Sequence, residues 1–152
     1  RYSERGTDYV YNMERLLRKF RTAASLVPQP VLRKAAQPTR FGVIYFGSTS
    51  PAMHEALDVL QAEGVHLDAL RLRAFPFPDS VPEFIAAHEK VFVVEQNRDA
   101  QMHSMLVNEL DIDPARMVRV LHYDGTPITA RFIAQAIQKH LQGAQASLKE
   151  AA

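Results

Sequence analysis

The chain has 152 residues, 47% of them apolar and 23% charged, with a formal net charge of +1 and no cysteine. That length and make-up suffice for one buried core without covalent staples. The missing cysteine excludes disulfides, thiolate metal sites, iron–sulfur ligation within this chain and a cysteine nucleophile, and no apolar run approaches the ~20 residues that span a bilayer.

The charge is unevenly spread. Residues 1–40 hold nine Lys/Arg against three Asp/Glu, and residues 41–152 hold nine against fourteen. A basic arm precedes an acidic body. Such an arm suits an acidic partner surface, and the acidic body argues against nucleic acid. The opening Arg1-Tyr2-Ser3-Glu4-Arg5 is neither a signal peptide nor an initiator Met, so the expectation is a piece of a longer polypeptide that lacks parts of its active site.

In chain order, Met13, Leu16, Leu17, Phe20 and Ala24 recur at helical spacing, which predicts a linker helix over residues 8–26. Val27-Pro28-Gln29-Pro30 stops it. Residues 27–40 read as extended chain, with Val31-Leu32 a short edge strand. Phe41-Gly42-Val43-Ile44-Tyr45-Phe46 is the nearly unbroken apolar run of a strand buried on both faces. Gly47-Ser48-Thr49-Ser50-Pro51 follows, with Ser50 expected to cap a helix and Pro51 to open it. Met53, Ala56, Leu57 and Leu60 mark that helix, and Gly64 ends it. Residues 67–73 alternate with period two and read as a second strand, followed by the stiff loop Phe75-Pro76-Phe77-Pro78. Ser80 and Glu83 have capping-box spacing ahead of a short helix to His88. Residues 91–95 form a third buried strand. A helix over 99–110 carries Met102, Met105, Leu106 and Leu110, and residues 117–121 form a fourth strand. Asp124-Gly125-Thr126-Pro127 turns the chain, and Phe132, Ile133, Ala136, Ile137 and His140 mark a last helix. The domain division is a linker helix and extended arm with edge strand over 1–40, an α/β domain over 41–141, and a frayed tail over 142–152.

Strands alternating with helices of this length give βαβ units and a parallel sheet between two helical layers. Ligands of such sheets collect at the carboxyl ends of the strands. There the candidates for an anion or for a contact with another subunit are Gly47, Ser48, Thr49, Ser50, Arg73, Glu95, Asn97, Arg98 and Gln101. The turn at 47–50 is either a capped helix start or an anion cradle of backbone N–H groups. Glu95 is either a general acid or base with a burial-raised pKa, or the partner of Arg98 or Arg73. Arg73 is either a clamp for a carboxylate or phosphate, or paired with Glu95. No two of the six histidines stand three or four residues apart, which speaks against a metal site. No complete set of catalytic groups is present, and no catalytic residue is expected.

Four segments, in order, resemble one family. Gly42-Val43-Ile44-Tyr45-Phe46-Gly47-Ser48-Thr49 is similar to the first strand and turn of the last domain in α subunits of 2-oxoacid:ferredoxin oxidoreductases. Leu70-Arg71-Leu72-Arg73-Ala74-Phe75-Pro76-Phe77-Pro78 resembles its Arg-x-x-x-Pro-Phe-Pro segment. Val93-Val94-Glu95-Gln96-Asn97-Arg98-Asp99-Ala100-Gln101 resembles its Val-x-Glu-x-Asn…Gln segment. Tyr123-Asp124-Gly125-Thr126-Pro127 resembles its Gly-Arg-Pro turn, with Thr126 where Arg is commoner. The resemblance covers most of residues 8–138 and sits closest to the 2-oxoglutarate type.

The resemblance implies the fold of the transketolase C-terminal domain: a three-layer α/β/α sandwich around a mostly parallel five-stranded sheet. Its order would be 1-3-2-4-5, with an antiparallel first strand supplied by Val31-Leu32. The whole cytoplasmic enzyme would decarboxylate a 2-oxoacid on thiamine diphosphate and Mg, pass electrons through an iron–sulfur cluster to ferredoxin, and make an acyl-CoA. This chain would bind none of these cofactors itself. It would contact the preceding thiamine-binding domain and the β subunit, with no role at a membrane. The rival reading is a stand-alone regulatory module that binds a small anion or nucleotide at the 47–50 turn.

Overall fold

The computed structural model describes residues 2–150, with side chains through Gly143. Five strands and five helices follow one another: α1 (Gly6–Leu26), β1 (Val31–Arg33), β2 (Phe41–Phe46), α2 (Ser50–Ala62), β3 (Asp68–Leu72), α3 (Ser80–Ala86), β4 (Lys90–Glu95), α4 (Gln101–Leu110), β5 (Met117–Leu121) and α5 (Ala130–Glu150). They form one mixed sheet of order β1-β3-β2-β4-β5. β1 runs antiparallel to β3, and the other three pairings are parallel. This is the expected topology, with the expected edge strand.

Each central strand feeds two cores because successive side chains point to opposite faces. Val43, Tyr45, Phe92 and Val94 join α2 and α5 through Met53, Leu60, Ile133 and Ile137. Ile44, Val91 and Val93 join α3 and α4 through Val81, Phe84, Ile85 and Leu106. Gly42 in β2 has a packing reason: a Cβ there would lie 2.9 Å from the Phe84 ring and 3.2 Å from His88. The helix-ending role of Gly64 is met with φ +80°, which a side chain would resist.

Three local expectations are corrected. β3 is not half-exposed: Asp68, Ala69, Leu70 and Leu72 are all buried, because β1 and β2 flank the strand and helices cover both faces. Asp68 is tolerated there because Lys34 Nζ (2.6 Å), the Ala35 amide (2.9 Å) and His88 Nε2 (3.2 Å) surround its carboxylate. Ser50 does not cap α2. A 3₁₀ turn, Gly47–Thr49, leads directly into the helix, so Ser50 is already helical and its side chain caps nothing. Nor do Ser80 and Glu83 form a capping box; Ser80 lies inside α3, and the preceding Asp79 has helical φ and ψ.

α1 stands apart from this packing. It starts at Gly6, two residues earlier than expected, and none of its 21 residues is buried. In the tail expected to fray over 142–152, α5 continues as helix through Glu150, and residues 151–152 lie outside the described residues. No described helix is long and apolar enough to cross a membrane.

Candidate functional site

The strand ends carry the polar candidates, and the structure gathers most of them into a network around Glu95 and a second set of bonds around Gln96. β2 ends in the 3₁₀ turn at Gly47, whose φ of +58° suits a residue without Cβ. The chain leaves β4 through Glu95, Gln96 and Asn97 before α4 begins.

Glu95 is the centre of the network. It is fully buried. One carboxylate oxygen accepts from Asn97 Nδ2 (2.8 Å) and from the Met102 amide (2.8 Å); the other accepts from the His103 amide (2.9 Å). Asn97 Oδ1 accepts from the Gln101 amide (3.2 Å). The three first amides of α4, which no helix can satisfy internally, thus all find acceptors on the loop that precedes it. The residue at the cap position itself, Ala100, has no side-chain acceptor and sits at φ +52°, the left-handed region that costs a residue with a Cβ. A negative group at the positive end of α4 adds a favourable dipole interaction.

The expected ion pairs of Glu95 are therefore absent among the described residues. Arg98 bonds to its neighbour Asp99 at 2.8 Å. Arg73 is exposed and makes no hydrogen bond or ion pair among the described residues. A carboxylate occupied by three donors is built to hold a helix end, and its lone pairs are committed.

Sequence reasoning passed over Gln96. Its Nε2 donates to Ser48 Oγ and Thr49 Oγ1, both at 3.1 Å, and its Oε1 accepts from the Ile128 amide at 3.5 Å. One side chain thereby ties the ends of β2 and β4 to the segment entering α5. Its place next to two buried strand residues was the available signal. Beyond β5, the Asp124 carboxylate accepts from the Thr126 amide (2.8 Å) and hydroxyl (2.7 Å). Those two bonds hold its pKa below the usual carboxylate range. Thr126 thus closes the turn itself, in the position where the resembled family more often has Arg.

Of the predicted site residues, Glu95, Asn97 and Gln101 are joined in one set and Ser48 and Thr49 in the other, through Gln96. Ser50 lies at the border of the second set, and Arg73 and Arg98 stay outside both. A second feature lies elsewhere: an open groove of about 810 Å³ between α1 and the loop at 75–78, lined by Leu17, Phe20, Ala24, Phe75 and Phe77. Phe20 meets Phe75 edge-on, with centroids 6.4 Å apart.

The family model described as pyruvate:ferredoxin oxidoreductase core domain II matches residues 40–131. The α subunit of 2-oxoacid:ferredoxin oxidoreductase 2 from Aeropyrum pernix is 29% identical over 129 residues, which is 82% of this chain and 20% of that relative. The chain thus spans about a fifth of the length of this curated relative. Among solved structures, 2-oxoglutarate:ferredoxin oxidoreductase from Magnetococcus marinus, with 2-oxoglutarate, coenzyme A and succinyl-CoA bound, superposes with a TM-score of 0.79 at 21% identity, covering 90% of this chain and 24% of that one. The α chain of a probable 2-oxoacid ferredoxin oxidoreductase from Thermoplasma acidophilum gives 0.50 at 25% identity, covering 75% and 97%. A split-gene transketolase, an inactive β4 tetramer, gives 0.60 at 18% identity over 75% of this chain and 42% of that one, in keeping with a transketolase-like fold.

Proposed function

Because this chain belongs to the pyruvate:ferredoxin oxidoreductase core domain II family, we propose that it is the structural and subunit-contact domain of a cytoplasmic 2-oxoacid:ferredoxin oxidoreductase α subunit. The reaction of the whole enzyme would be oxidative decarboxylation of a 2-oxoacid to an acyl-CoA, with the electrons passed to ferredoxin. The 2-oxoglutarate type is the favoured substrate class, on the resemblance of the four segments and the likeness to the Magnetococcus marinus fold.

In this proposal thiamine diphosphate, its metal and the iron–sulfur cluster are held by the rest of the protein and its β subunit; in support, the chain has no cysteine, and no group of three potential metal-binding side chains occurs among the described residues.

The observation that carries the contact role is α1. A helix with exposed Val10, Leu17 and Phe20 along one side, beside an apolar groove, is a surface that water covers poorly. It suits packing against the preceding domain or a partner subunit. The polar strand ends bond to one another, which gives neighbouring polypeptide a fixed surface. Fixed neighbours matter because small misplacements at a reacting centre cost much rate.

The test is to remove this domain from the full-length α subunit and measure assembly with the β subunit together with turnover. Loss of both is expected. Unchanged assembly and turnover would overturn the proposal.

A further inference from the structure

Arg71, half-buried in the sheet, has no acceptor for its Nε. Arg71 stands in β3 opposite Tyr45 of β2 on one side and Val31 of β1 on the other. Its Nε is shut off from solvent and meets no acceptor, and its guanidinium makes no hydrogen bond or ion pair among the described residues. A buried N–H without a partner is costly, and folded proteins seldom keep one without a reason.

The groups around it are donors. Tyr45 and Arg71 share the sheet face that packs on α2. The Tyr45 hydroxyl lies 3.4 Å from His54 Nε2 and within hydrogen-bonding reach of the Ser50 side chain. Burial pushes the phenol's pKa up, although Arg71 and Ser50 pull against it, so the hydroxyl keeps its proton. Ser50 is the first residue of α2, where the helix dipole is positive. The Asp58 carboxylate, one turn beyond His54, is taken by Arg33 at 2.6 Å. Tyr45 thus links Arg71 to two further side chains able to donate, Ser50 and His54, and the nearby Asp58 carboxylate is already paired with Arg33. Guanidinium forks match carboxylate and phosphate oxygens in pairs.

We propose that Arg71, with Tyr45, Ser50 and His54, forms a binding site for a phosphate or carboxylate oxyanion at the β3 edge of the sheet. The site shares only Ser50 with the turn singled out in the sequence, and it does not depend on the family reading.

The experiment follows the Arg71 Nε–Hε and His54 ring resonances of the 152-residue chain by NMR. Inorganic phosphate and sodium acetate are titrated separately, each against sodium chloride of equal ionic strength. Saturable shifts at both residues are expected with phosphate, with acetate or with both, and the arm that saturates identifies the oxyanion. Arg71→Gln is expected to weaken that binding about tenfold or more, the loss of a charge-assisted pair; Arg71→Lys, which keeps charge without the fork, is expected to fall between. The Arg98→Gln variant, whose arginine faces Asp99, is expected to bind as the parent does. Shifts that track chloride, or saturation unchanged in a folded Arg71→Gln chain, would overturn the proposal. If Arg71→Gln does not fold, the parent resonances still decide: no saturable shift with either anion overturns it.

Discussion

Replacing Glu95 by Gln tests how the β4 end is built. The substitution keeps the size of the side chain and removes its charge. In the parent, the two carboxylate oxygens serve two α4 amides and one Asn97 amide group. Glutamine has one acceptor oxygen; its NH₂ must then face a donor. One of the two helix amides loses its acceptor, which costs about 1–3 kcal/mol, and the lost charge at the helix start adds roughly 0.3–1 kcal/mol. A total of about 1–4 kcal/mol lowers the melting temperature of a domain this size by roughly 3–16 °C. Glu95→Ala frees both amides and leaves a void, so its cost is expected to be larger still. The assay is urea unfolding of the chain with amide exchange at Met102 and His103. One of the two amides is expected to lose protection selectively in Glu95→Gln, and both in Glu95→Ala. Stability within about 0.5 kcal/mol of the parent, the range of neutral surface changes, would refute the reasoning and reopen Glu95 as a group available for proton transfer.

Three further outcomes are expected. Gly42→Ala forces a methyl against the Phe84 ring, 2.9 Å away; it should cost about 1–3 kcal/mol in urea unfolding, as overpacking does. Stability should fall in acid in two steps. His103, held below its ordinary 6.5 by burial and by Arg119 against the pull of Glu95, contributes stability that is complete above pH 6.5 and declines below it. Burial works to raise the pKa of Asp68, but Lys34, the Ala35 amide and His88 overcome it and hold it below 3.8; its contribution is present above that pH and is lost as pH falls through the folded value. His103→Gln should flatten the first decline and Asp68→Asn the second, read from urea midpoints across pH. The double change Leu17→Ser with Phe20→Ser, at positions 60% and 52% exposed, should leave the chain's own unfolding midpoint nearly unchanged and weaken assembly of the full-length α subunit with its β subunit by gel filtration.

The sheet was legible because its strands are apolar runs separated by helical periods, and burial on both faces leaves no other reading for residues 41–46 or 91–94. β3 was harder. Its Asp68 and Arg71 read as exposed positions, whereas Lys34, His88 and the β1 edge receive the first of these inside the fold. Helix starts were misread for separate reasons. Ser50 and Ser80 have the residue types of caps but already lie inside α2 and α3, and the amides of α4 are served by Glu95, which lies six residues before the helix. A capping rule that looks only at the adjacent residue cannot see a strand end folded back over the helix. Arg73 and Arg98 carry charge that the sequence offers to Glu95, but geometry had already filled that carboxylate with neutral donors.

Asn97 separates a rigid cap from a reactive cluster most cleanly. Its Nδ2 donates to Glu95 while its Oδ1 accepts from the Gln101 amide, so the side chain has a defined polarity within the network. Asn97→Ala removes both bonds and leaves Glu95 its two helix amides. Asn97→Asp keeps an acceptor for Gln101 but sets a second carboxylate beside Glu95, and two close carboxylates cannot both ionise without cost. At neutral pH the aspartate variant should therefore be less stable than the alanine variant, although it is closer to the parent in shape. Because the penalty needs both carboxylates charged, it should shrink as pH falls toward the ordinary carboxylate range of about 4. If Asn97→Asp equals or exceeds Asn97→Ala in stability at pH 7, Glu95 is not the charged acceptor that holds α4.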